Sequence, residues 1–452
     1  MGCAVKVVEL MDRCAALGQK IEDALSLKIR ELSHKMAKEI LEDPKVHNIT
    51  EVVRKQVLSI GADIASAALN DMAQTLEVEN RTRPKGQRQR TLATILGPVA
   101  YEREAFYDAI NKSLSFPADE ALGVRGGQLQ PDILSRMVRT GIEMPFAEAA
   151  ELCESLMGVK ISEGSVYNAV VTAGEKAKYE DVVPSKEEIH KKLDRLKETN
   201  PGEKVHIVVG VDGAMEPLRP QGSKRKGQRG ECYWKECKGF RAFAVVGDKT
   251  LEQLASWHQI GTDEELGQYL KSLAASLSGR PEPLVIAADG AKWIWAQVAS
   301  AFGPHIEVLD WYHAVEHLSQ FADIQFGKEK ERRHEWLEKS KARLMGDEVA
   351  GIIHGLARMN TKSAQAKAAA STLIGYLETN KNRMKYGTLC KQGLTIGSGG
   401  MESANKSVSH IRLKRNGCWW KPTHANEILR LRCAKANGTL DRILSGCWKD
   451  SF

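Results

Sequence analysis

Three apolar, β-rich runs each close on an aspartate: VGVDG on Asp212, IAADG on Asp289 and EVLDW on Asp310. A single Asp-Gly after a strand is ordinary turn chemistry, because both residues tolerate tight backbone geometry. Three repeats of that placement are harder to read as turns alone. In a mixed α/β sheet, ligands bind in the crevice outside the carboxyl ends of neighbouring strands. Carboxylates converging there raise one another's pKa unless a cation sits between them. An oxygen-only donor set of this kind selects hard ions such as Mg²⁺ or Mn²⁺. Glu402 adds another acid, in the first turn of a helix introduced by IGSGG, where the helix dipole favours negative charge. Lys406 stands one turn further on the same face. Glu402 also reads as a plain helix-start charge, and the sequence leaves that alternative open.

These residues need a scaffold, and from residue 203 the texture is that of a mixed α/β sheet. Residues 205–211 read as a buried strand, 233–239 and 241–246 as paired strands, and 264–277 as an amphipathic helix. A buried strand at 283–288, a helix at 291–302 and a strand at 306–309 follow, with the first three strands expected to be antiparallel. Residues 314–386 read as wholly helical, and 387–401 as a Gly-rich break before the Glu402 helix. Upstream, 5–42 and 50–78 are amphipathic helices parted by Asp43-Pro44. A basic linker at 81–90 and a β-hairpin at 91–107 come next. Within 131–177, a helix at Phe146–Met157, a short Gly-containing break and a second helix from Ser162 give a helix-turn-helix layout. Ser165, Tyr167, Asn168 and Lys176 are its polar candidates for DNA contact, although a plain helical hairpin has the same pattern. The expected division is therefore 1–80, 81–130, 131–200, 203–313, 314–386 and 387–452.

Charge is distributed unevenly along the chain. The 452 residues carry a net +7, yet the stretch from Lys381 to Lys435 alone carries +10, with Glu402 and Glu427 its only acids. From Arg219 to Arg241 the balance is +6. Such blocks suit a polyanion, nucleic acid first, or else line a solvated surface. At roughly 100–200 residues per domain, the length implies two to four domains. The most apolar runs fall far short of the ~20 residues of a spanning helix, and charge recurs too early at the N-terminus for a secretory leader. The nine cysteines are dispersed and contain no C-x-x-C, which points to reduced thiols in a cytoplasmic protein rather than disulfides or zinc. Cys232 and Cys237, the closest pair, are offset so as to face opposite sides of a strand.

Taken in order, VDGAM, WKECKGFRAFAVVG, VIAADGAKWIW, VLDWYHAVEHL, IGSGGMESANK and RLKRNGCWW resemble the DDE transposases of bacterial insertion sequences, specifically the ISKra-type group near the Mutator-like superfamily. The resemblance runs over about 205–440. It implies an RNase H-like catalytic domain interrupted by an all-α insertion between the second Asp and the Glu. It also implies that Asp212, Asp289 and Glu402 form the triad. Asp310-Trp-Tyr-His313 corresponds to the superfamily's Asp/Cys-x-x-His signature beside that triad, with Asp310 kept as a possible stand-in for Asp289. His313 is either a donor to the scissile region or a satisfied core histidine.

The implied chemistry is hydrolysis of a phosphodiester at an element end, then attack of the freed 3′-OH on target DNA, using two Mg²⁺ or Mn²⁺ ions roughly 3.5–4 Å apart. Lys224, Arg225, Lys226 and Arg229 would contact backbone phosphate. Lys406, Arg412, Lys414, Arg415, Trp419 and Trp420 would add charge and stacking surface for a distorted DNA end, although the two tryptophans also suit packing. Expected partners are double-stranded DNA, as terminal inverted repeats and target, and further copies of the chain, as a dimer or larger assembly. A cytoplasmic, nucleoid-associated location without membrane contact follows. The alternatives are an RNase H-like nuclease that cuts without joining, and a domesticated, non-catalytic DNA-binding regulator.

Overall fold

The computed structural model describes residues 2–75, 84–108, 112–124, 126–219, 233–247, 250–415 and 418–448. Two compact units are present: Met1–Ala173 with Leu444–Phe452, and Gly174–Ile443.

In the first unit, α1 (Gly2–Glu42) and α2 (Val46–Thr75) form an antiparallel pair. Lys20–Asp71 and Lys28–Asp63 (3.1 Å) bridge them. β1 (Pro84–Thr94) and β2 (Gly97–Asp108) make an antiparallel hairpin to which β3 (Ser113–Ser115) adds. The expected linker at 81–90 needs correcting: 81–83 lie outside the described residues, and 84–90 belong to β1, paired with β2 as far as Pro84–Phe106. Those side chains are almost all exposed, so no apolar alternation marks the strand, and β2 supplies the pairing instead. After α3 (Pro117–Ala121) come α4 (Pro131–Gly141), α5 (Phe146–Met157) and α6 (Glu163–Lys176). Helix α5 stops at Gly158, whose φ of 66° is the left-handed conformation glycine adopts without strain.

The second unit begins with α7 (Tyr179–Val182) and α8 (Lys186–Thr199), then β4 (Val205–Leu218), β5 (Tyr233–Val246) and β6 (Thr250–Ile260). Next are α9 (Asp263–Leu277), β7 (Leu284–Ala288), α10 (Lys292–Ala301) and β8 (Ile306–Leu309). The sheet order is β6-β5-β4-β7-β8, antiparallel among the first three strands in sequence and parallel across β4, β7 and β8. Helices α11 (Trp311–Phe326), α12 (Lys330–Met345), α13 (Val349–Ala357), α14 (Ala364–Asn380) and α15 (Tyr386–Lys391) follow. Their apolar faces, including Leu318, Leu344, Ile352 and Leu377, share one core with Val208, Val285 and Val308 of the sheet. Then come α16 (Gly399–Ala404), a π-helical turn at Asn405–His410, α17 (Ile411–Leu413), α18 (Pro422–Asn437) and α19 (Leu440–Cys447).

Three strand assignments differ from expectation. β4 does not end at Asp212 but runs on to Leu218, because β5 pairs with it residue by residue through Leu218–Tyr233. That ladder overrides the Asp-Gly turn signal. The two short strands expected at 233–239 and 241–246 are one strand, continuous through Gly239. The third antiparallel strand is β6, hidden in the sequence because Ser256, His258 and Gln259 are polar and nevertheless buried.

Cys14, Cys153, Cys237, Cys390, Cys418 and Cys433 are free thiols, whereas Cys232 lies outside the described residues. No described helix is long and apolar enough to cross a membrane.

Candidate active site

Strand register brings the first two acids together. Val211 of β4 pairs with Ala288 of β7, and Ala288 pairs with Leu309 of β8. Asp212, within β4, therefore stands level with Asp289 and Asp310, which come just after the neighbouring parallel strands β7 and β8. The backbone sets each carboxylate. Asp212 Oδ1 accepts from the Gly213 amide at 2.7 Å, and Asp289 Oδ1 from the Ala291 amide at 2.8 Å. The Trp295 indole donates to the Asp289 carbonyl at 2.8 Å, tying α10 to the end of β7. Asp310, 2% exposed, caps α11 by accepting from the His313 amide at 3.0 Å, and its other oxygen accepts from the Ser398 amide. It thereby anchors the loop leading into α16.

Burial pushes the Asp212 carboxyl up to about 6; the Gly213 amide opposes this, while the charge of Asp289 reinforces it. Asp212, Asp310, His313 and Glu402 line one cavity of about 410 Å³, shared with Lys406 and Lys414. Asp289 is not among the residues lining it. Glu402 is exposed, and its carboxylate accepts from Lys406 Nζ at 2.7 Å. Accordingly, among the described residues no three His, Cys, Asp or Glu side chains are placed together to hold a metal ion. The acids at Asp212 and Asp289 suit a hard cation in donor chemistry and in their unneutralised charge. The third acid is held by Lys406.

Several neighbours carried no signal as site residues in the sequence. Asn405 Nδ2 donates to Asp212 Oδ2 at 2.7 Å, and Asn405 Oδ1 lies 3.1 Å from His258 Nε2. Their nearest clue is spacing, since Asn405 follows Glu402 by three residues on a helical turn. Tyr376 of α14 packs on the turn after Asp289, where a Cβ on Gly290 would come within 2.5 Å of its ring. Its ring also lies against His317, tilted by 32° with centroids 3.9 Å apart.

The residues expected at DNA divide by exposure. Lys224, Arg225, Lys226 and Arg229 lie outside the described residues. Lys406, Lys414, Trp419, Asn168 and Lys176 are exposed, and Arg415 is half-buried. Arg412 and Trp420 correct the expectation. Both are buried, and the guanidinium sits 4.7 Å from the Trp420 ring centroid. Burial also brings the Arg412 pKa down to about 10. Trp420 is fixed by the Arg219 amide, which donates to its carbonyl at 3.0 Å. This pair packs the segment after α17 against the end of β4 and presents nothing to a phosphate. In the helical pair, Tyr167 is half-buried and meets Phe146 edge-on at 5.5 Å, and Ser165 hydrogen-bonds Ser162 at 2.8 Å. His313 is half-buried, 3.7 Å from Glu316.

A family model described as an uncharacterised protein family, UPF0236, matches residues 41–197, a segment that ends before β4. No curated protein sequence matches the chain. Among solved structures, the chain is similar to the "Drosophila P element transposase strand transfer complex", at 11% identity and a TM-score of 0.24, over 72% of this chain and 81% of that one. A likeness that slight carries no argument.

Proposed function

We propose that this chain is a DDE transposase of an insertion sequence, of the ISKra-type group, with an RNase H-like catalytic domain. The observation that carries the reading is the strand register that sets Asp212 beside Asp289, with Asp212 pushed up to about 6 by burial and its neighbour's charge. The sheet order, the helical segment between Asp289 and Glu402, and the cavity that Asp212 shares with Glu402 add support.

On this reading Asp212, Asp289 and Glu402 hold two divalent cations, Mg²⁺ or Mn²⁺. Bound there, such ions would activate the attacking oxygen and stabilise the leaving one. The chain's own residues do the rest. Asp310 fixes the loop from which α16 starts, and so sets where Glu402 stands. Lys406 and Lys414, on the cavity wall, attract backbone phosphate and make binding salt-dependent. The substrate is double-stranded DNA, first at element ends and then at the target, and joining two ends requires more than one copy of the chain.

The test is incubation of the full-length protein with candidate element-end DNA and Mg²⁺, mapping nicks and joined products. Asp212→Ala, Asp289→Ala and Glu402→Ala should each lower cleavage by about 10³-fold or more, with DNA binding retained. Cleavage that survives all three changes overturns the assignment. Nicks without joined products would instead indicate an enzyme that only cuts.

A further inference from the structure

Asp212 is held from behind by a buried line of polar groups. Its Oδ2 can only accept, so the Asn405 amide must turn its NH₂ towards it, at 2.7 Å. The Asn405 carbonyl then faces His258 Nε2 at 3.1 Å and needs a donor there. The imidazole therefore carries its proton on Nε2. Its Nδ1 is left as an acceptor, 3.4 Å from Ser256 Oγ and 3.8 Å from Cys433 Sγ. Each bond direction follows from the one before, starting from the carboxylate. His258 is fully buried, and Asn405 is 5% exposed. Burial holds the imidazole neutral, at about 4.

The backbone makes room for this line. Gly239 is the ladder partner of Asp212, and a Cβ there would stand 2.5 Å from His258 Cδ2. Asn405 opens the π-helical turn that follows α16. Such turns recur at functional sites because the extra residue per turn re-aims a side chain.

We propose that His258 and Asn405 are positioning residues that fix the Asp212 carboxylate for a divalent cation, His258 acting through Asn405 without touching Asp212. This rests on the metal-dependent reading above, and the readout is chosen to separate the two. Outer partners of a metal ligand typically change affinity or activity by about 10–100-fold when removed.

Mn²⁺ is titrated into the metal-free full-length protein with free ion read by electron paramagnetic resonance, alongside nicking of DNA in Mg²⁺. Asn405→Asp, which replaces the donor with a second carboxylate, and His258→Phe, which keeps a ring but removes the donor, should each weaken Mn²⁺ binding about tenfold or more. Metal-free DNA affinity should stay within about twofold. His258→Gln, which restores a donor, should recover part of the loss. Should Asn405→Asp fail to fold, the Phe and Gln variants of His258 decide the matter.

Mn²⁺ binding that is lost in Asp212→Ala but unchanged in folded Asn405→Asp and His258→Phe overturns the relay alone. Weakened Mn²⁺ binding in these variants, from a parent that never nicks DNA, supports the relay and overturns the functional reading. A parent that binds no Mn²⁺ overturns both.

Discussion

The two ends of β7 carry acid in opposite ways. Just before the strand, Glu282 is 7% exposed and receives the Arg280 guanidinium through two bonds of 2.7 and 2.9 Å, with Lys197 at 2.8 Å. Burial alone would push that carboxyl up, but Arg280 and Lys197 hold it down to about 2. Just beyond the strand, Asp212 and Asp289 accept hydrogen bonds from neutral amides, and Asp212 goes up to about 6. The larger cavity, about 610 Å³, lies at the Glu282 end, and the smaller, about 410 Å³, at the Asp212 end. Size alone would therefore favour the Glu282 end. On the proposed reading, half-buried acid with no cation beside it, rather than cavity size, marks the end that takes a ligand.

The contrast can be broken by exchanging what each end lacks. Arg280→Met should cost about 3 kcal/mol, because it leaves a buried carboxylate with one cation instead of two. Urea unfolding near pH 7 reads this. The sign follows from the depressed pKa: the stability Glu282 contributes is present above its ordinary range and is lost as pH falls through about 2. The penalty should therefore shrink on acidification, and a loss that is constant with pH would mean the Arg280 pair is not what holds Glu282.

At the other end the sign reverses. The raised Asp212 carboxyl contributes stability below its ordinary range and loses it as pH rises through about 6. Asp212→Asn should therefore stabilise the cation-free protein by about 1–2 kcal/mol near pH 7 and by almost nothing near pH 3, as thermal unfolding would show. A destabilised variant near pH 7 would erase the distinction between the two ends. The smallest effect belongs to Lys406→Ala. Its pair with Glu402 is exposed on both sides, so stability should change by less than about 0.5 kcal/mol.

Much of this arrangement was readable beforehand. β7 and β8 announce themselves as short apolar runs that stop at Asp289 and Asp310, and the two-helix layout at α5 and α6 follows from its Gly158 break. What stayed hidden had one physical origin: pairing and burial supplied by distant segments. The β5 ladder carries β4 past its Asp-Gly, and β2 turns a basic stretch into strand. Buried Ser256, His258 and Gln259 disguise β6, and with it the residue that reaches Asn405. Arg412 and Trp420 look like a DNA-facing pair in one dimension and pack on each other in three. The acids could be found from strand ends, but the groups that orient Asp212 could not, because a lone Asn or His has no periodicity to betray its neighbour.

The separation of these partners along the chain has a consequence for synthesis. Asp212 and Asn405 are 193 positions apart, and His258 and Asn405 are 147 apart. At about 5–20 residues per second, a ribosome needs roughly 10–40 s to travel from the first acid to the amide that orients it. Over that interval the nascent chain can lay down its strands while the pocket stays unfinished. The groups that orient Asp212 therefore meet only once Asn405 has been made, well after the strands that carry the acids.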